Sequence, residues 1–83
     1  MDYSAMTIAQ LAAEVRKDWK NVYFGAVPYL EAMFYLGSIK DTYGCDSGSS
    51  IVIYFLSNAN TWRGATARAI KAELNKRCKS VRE

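Results

Sequence analysis

Seven basic residues crowd the last third of this 83-residue sequence, and five of them, Arg63, Arg68, Lys71, Lys79 and Arg82, are candidates for phosphate contacts. With Asn75 between them, Arg68, Lys71, Lys79 and Arg82 recur at three- and four-residue steps, which sets them along one side of a helix. Cations in that pattern can neutralise phosphates and release counterions. Nearby Trp, Tyr and Asn residues could add stacking or base contacts. The segment Thr61–Glu83 carries a net charge of +5, whereas residues 1–60 carry −2, so the basic character is local. An ordinary solvated helix face, with cations late in the helix where they complement its dipole, is the simpler account. The whole chain is only +3, and Glu73 and Glu83 interrupt the positive field. Dedicated nucleic-acid domains are usually more basic.

The second group able to act is aromatic. Six tyrosines occur in the chain, and Tyr23, Phe24, Tyr29 and Tyr35 lie close together. Tyrosine is enriched where proteins meet, so these four are candidates for a protein-binding surface. Filling the core and its rim is the competing use of the same rings.

Catalytic chemistry finds little to work with. Histidine is absent, which removes the commonest general base and metal ligand. The stretch Asp46-Ser47-Gly48-Ser49-Ser50 lacks the lysine of a phosphate loop. A nucleophilic Cys45 or Ser47 would need a base that the sequence does not offer. No enzymatic activity, cofactor or metal site is therefore expected. Cys45 and Cys78 match no zinc spacing; one disulfide could join them, but two thiols packing as small hydrophobes is favoured. The longest apolar run, Ile51 to Leu56, is far short of the roughly 20 residues a membrane span needs. Without an export signal at Met1-Asp2-Tyr3, a cytoplasmic protein is expected.

These residues need elements to hold them. Thr7 and Gln10 form a capping box, with Met6 and Leu11 at staple positions. The stripe Ile8, Leu11, Ala12, Val15, Trp19 and Val22 then predicts a helix over 8–21, closed by Gly25 in a left-handed conformation. Pro28 suits the first turn of a short apolar helix over 28–36. Ser38 and Asp41 could cap a further turn ending at Gly44. Residues 45–50 read as a loop leading to a helix over 48–58, with Asp46 or Ser47 as its cap. Ile51–Leu56 suits a buried strand as well as a helix; helix is preferred because no second strand is evident to satisfy a lone one.

The last helix is predicted over 61–80, capped by Asn60 or Thr61, with Trp62, Thr66, Ile70, Leu74, Cys78 and Val81 on its apolar face. Ala65 and Ala69 widen that face for close packing. A turn at Ser57–Asn60 would give the last two helices the connection of a helix-turn-helix, although Trp62 is better placed as core. The expectation is one all-α domain, residues 1–83, built as a bundle of four helices with a long basic C-terminal one. Its core is Leu11, Val15, Trp19, Leu30, Met33, Phe34, Val52, Phe55, Leu56, Trp62, Ile70 and Leu74.

Two stretches, Asp18-Trp19-Lys20-Asn21-Val22-Tyr23-Phe24-Gly25-Ala26-Val27-Pro28-Tyr29-Leu30 and Tyr54-Phe55-Leu56-Ser57-Asn58-Ala59-Asn60-Thr61-Trp62-Arg63-Gly64 with Thr66-Ala67-Arg68, carry a likeness. Together they resemble a group of short bacteriophage- and prophage-encoded proteins over most of residues 7–78. The resemblance carries over no functional residue. It implies an accessory protein in the bacterial cytoplasm that binds a host or phage protein, as an inhibitor or modulator. A homo-oligomer is compatible with a chain this small. The alternative function is nucleic-acid binding by the C-terminal helix.

Overall fold

A computed structural model describes residues 2–82, with side chains described through Lys79. A 3₁₀ turn, Tyr3–Ala5, precedes α1 (Ile8–Asp18) and α2 (Val27–Met33). A two-stranded ribbon, β1 (Thr42–Tyr43) and β2 (Asp46–Ser47), leads into α3 (Gly48–Ser57), and α4 (Ala65–Arg82) closes the fold. The protein is predominantly α. Its helices form a ring: α1 packs on α2 and α4, and α3 packs on the same two.

The start of α1 follows its sequence. Thr7 Oγ1 accepts from Gln10 N at 3.1 Å, and Gln10 Oε1 accepts from Thr7 N at 2.8 Å. Beyond the capping box, Ile8 N donates to Gly37 O and Ala9 N to Leu36 O, so the exit from α2 satisfies the first turn of α1. Ile8, Leu11, Ala12, Val15 and Trp19 are buried as the stripe predicts.

The predicted end of α1 is corrected. The helix stops at Asp18, and Trp19 turns extended (φ −92°, ψ 95°). Gly25 does not take a left-handed conformation; the positive-φ glycines among the described residues are Gly44 and Gly64. The position is crowded: a Cβ at 25 would lie 2.6 Å from the Tyr23 ring and 2.9 Å from Asn58 Oδ1, so those side chains would have to shift.

Helix α2 begins one residue before Pro28, which falls where no N–H is needed. It ends at Met33 rather than 36 because the chain tightens: Phe34, Tyr35 and Leu36 N donate three residues back, to Glu31, Ala32 and Met33 O. Asp41 Oδ2 then accepts from Gly37 N and Ser38 N. The ribbon from Thr42 to Ser47 replaces part of the predicted loop, with Gly44 at φ +63° in its turn. Ile51–Leu56 is helical, and Ser47 is the cap, its Oγ accepting from Ser50 N.

Helix α4 starts at Ala65, four residues later than predicted, and neither Asn60 nor Thr61 caps it. Residues 58–64 form an irregular connection, longer than a helix-turn-helix turn, in which Trp62 N donates to Ala59 O. Gly64 (φ +115°) redirects the chain, and its carbonyl accepts from Arg68 N. Ala67, Ile70, Leu74 and Cys78 face the core; Ala65 and Ala69 are exposed, so the close-packing small residue is Ala67. Val81 lies outside the described side chains.

The buried side chains form one apolar cluster. Of the predicted core, Phe34 and Leu56 are only partly buried and pack against it. No disulfide forms: Cys45 is exposed at the ribbon turn, and Cys78 is buried with Sγ 4.0 Å from Ser49 O.

Candidate functional site

The aromatic candidates sit along α2 and its flanks, and each is joined to another ring. Tyr23 and Phe24, in the approach to α2, have centroids 4.9 Å apart. Tyr29 on α2 meets Tyr54 on α3 at 5.5 Å, and Tyr35, just past α2, meets Tyr43 on β1 at 5.4 Å. Phe24 is 80% exposed and Tyr35 72%, so neither serves as core. Tyr29 is half-buried and acts as the footing of its pair. Local bonds hold this surface in place. Asn58 Nδ2 donates to Tyr54 O at 2.8 Å, and the bare backbone of Gly25 lets the 23–25 loop lie against the same Asn58.

The two helices carry little charge, although Asp46 faces Tyr43 across the ribbon. Helix α3 has no charged residue and α2 has only Glu31. Tyr43, Ile53 and Tyr54 join the exposed set, and the sequence reading missed all three as surface candidates. For Ile53 and Tyr54 the signal was present in the uncharged run from Ser47 to Thr61, which an amphipathic surface helix would not show; Tyr43 lies outside that run.

The basic candidates separate into different places. Arg63, Arg68 and Lys71 line one depression of about 300 Å³ with Trp62, Gly64 and Ala67. Lys79 lines another, between α3 and α4, with Ile53, Leu56, Ser57, Asn75 and Cys78. At 1.5 Å per residue, Lys79 stands roughly 12 Å along α4 from Lys71. Arg82 lies outside the described side chains.

Lys71 also has structural work. Its Nζ donates to Ala59 O at 2.7 Å and to Trp62 O at 2.6 Å, closing the connection before α4. It stands 5.7 Å from the centroid of the Trp62 ring, within cation–π range. Burial, and then the nearby charge of Arg63, push its ammonium below the ordinary lysine pKa. Trp62 itself is buried: its ring stacks on Trp19 at 5.9 Å and 13°, Phe55 meets both rings edge-on, and Nε1 donates to Asp18 Oδ2 at 2.8 Å.

A third polar assembly was not foreseen. Arg77 Nε donates to Glu73 Oε2 at 2.7 Å, and its Nη2 donates to Tyr3 O at 2.9 Å and to Ser4 O at 3.3 Å. Glu73 orients the guanidinium, and the guanidinium holds the 3₁₀ turn onto α4. Only the four-residue spacing of Glu73 and Arg77 hinted at the pair; its reach to carbonyls more than 70 residues away had no sequence signal.

Among the described residues no three His, Cys, Asp or Glu side chains gather as a metal site, and no helix is long and apolar enough to cross a membrane. No protein-family model, curated protein or solved structure matches the chain.

Proposed function

We propose that this protein is a non-enzymatic binding protein that docks onto another protein through the aromatic surface of α2 and α3. The supporting observation is the exposure of Phe24, Tyr35 and Tyr54 as members of ring pairs, beside a helix without charge. Aromatic enrichment with depleted charge is the composition of interface cores. Ring pairs already in contact lose less conformational freedom on docking than lone side chains. With the likeness to phage and prophage proteins, the partner is a host or phage protein in the bacterial cytoplasm, and the effect is inhibition or modulation.

The test compares the wild-type chain with a Phe24→Ser, Tyr35→Ser, Tyr54→Ser variant as affinity baits in bacterial lysate. A protein retained by the wild type and by Arg68→Glu, but lost by the aromatic variant, is the expected result. Retention by all three baits overturns the reading. Sedimentation of the purified chain distinguishes a foreign partner from a homo-oligomer on the same face.

A second reading is nucleic-acid binding by the basic side of α4. The convergence of Arg63, Arg68 and Lys71 on one depression favours it. Binding of this kind would weaken steeply with salt and with charge reversal at Arg68.

A further inference from the structure

The depression beside the start of α4 is built from like charges. Arg63, Arg68 and Lys71 line it, and no carboxylate is among its walls. Neither arginine has an acidic partner among the described residues. Three cations around one concavity repel one another weakly through water, and an entering anion relieves that repulsion.

The walls are suited to an incoming oxyanion. Two of the three Lys71 N–H groups are committed to Ala59 O and Trp62 O, which fixes the ammonium and leaves one donor over. Gly64 has nothing within 4 Å of the place where a Cβ would stand, so the backbone lies open there. No hydrogen bond reaches the N–H groups of Ala65, Thr66 or Ala67 among the described residues, and Ala67 borders the depression. Guanidinium groups match phosphate oxygens through paired donors. The Trp62 ring is buried and covered by Trp19, so it offers no face on which a base could stack.

We propose that this depression is a phosphate-group site, with Arg63 and Arg68 as the pairing cations and Lys71 as the fixed third. The site shares Arg63, Arg68 and Lys71 with the nucleic-acid reading but is narrower: it is a local pocket for one phosphate group and includes neither Lys79 nor Arg82. A free phosphate, the monoester of a small molecule and a nucleic-acid backbone share this chemistry.

The experiment follows backbone amide NMR shifts of the full chain at low ionic strength, balanced with chloride. Inorganic phosphate is titrated first, then adenosine monophosphate against adenosine, then random-sequence single-stranded DNA. Saturable shifts centred on Gly64–Arg68 are expected with phosphate and the monophosphate, and none with adenosine. Arg63→Gln with Arg68→Gln is expected to weaken them at least about tenfold, from the loss of charge-assisted hydrogen bonds. Arg68→Gln alone, at an exposed position, serves if the double variant is unfolded. Absence of saturable shifts, or shifts that the variants leave unchanged, overturns the site. Phosphate binding without DNA binding keeps the site and removes the nucleic-acid reading. Phosphate and DNA shifts confined to the Lys79 region overturn the site and keep that reading.

Discussion

Two sets of aromatic rings, one inside the molecule and one outside, show how similar residues serve opposite ends. Trp19, Phe55 and Trp62 form a closed unit: the two indoles stack, Phe55 meets both edge-on, and Asp18 takes the Trp62 N–H. Lys71 bonds the carbonyls on either side of the turn. The outer set, Tyr23–Phe24, Tyr29–Tyr54 and Tyr35–Tyr43, is paired ring to ring but largely uncovered. In the inner set the Trp62 N–H and the Ala59 and Trp62 carbonyls are satisfied within the chain. In the outer set much of the apolar area still faces water, and covering it would be favourable.

Breaking the inner set should have the largest effect. Trp62→Ala is expected to cost about 3–5 kcal/mol, a large share of the stability of a domain this size. Loss of the cooperative urea transition, followed by circular dichroism, would show it; a folded variant of near wild-type stability would remove Trp62 from the centre. Lys71→Met keeps much of the apolar stem but removes both ammonium bonds; Ala59 O keeps Trp62 N–H while Trp62 O loses the Lys71 donor, at a cost of about 1–3 kcal/mol in the same assay. An unchanged midpoint would mean that the ammonium bonds contribute nothing.

The outer set should respond in the opposite sense. Phe24→Ser and Tyr35→Ser are each expected to alter stability by less than about 0.5 kcal/mol, yet to abolish capture of the protein partner. A large fall in thermal midpoint in either variant would erase the distinction between the sets. The smallest effect concerns pH. Lys71 has its pKa lowered from 10.5 by burial, so near that value the folded chain releases this proton before the unfolded chain does. Between the lowered value and 10.5 the unfolded state binds more protons, and this group's contribution to stability rises with pH. The gap in stability between wild type and Lys71→Met should therefore widen across that window; a flat or narrowing gap contradicts the burial cause.

The inner set was legible because burial follows periodicity. Leu11, Val15 and Trp19 repeat at helical steps, and so do Ile70 and Leu74 on α4. The capping box at Thr7 and the cap at Ser47 were legible because a short polar side chain there bonds its own backbone. What escaped were positions set by tertiary neighbours. Trp19 leaves the helical path and stacks on Trp62, Gly25 sits close to Asn58, and Lys71 bonds the turn that precedes α4. The ribbon at Thr42–Ser47 has two exposed residues per strand, too few for alternation to show. The basic residues were legible as a stripe, but their division between two depressions depends on the packing of α3 against α4.

Both tryptophans of the chain lie in the single stack where α1 ends against the connection to α4. Indole emission therefore has one address. It follows the opening of that joint and should change little when a partner covers Phe24 or Tyr35, whose docking must be read from tyrosine or from a label.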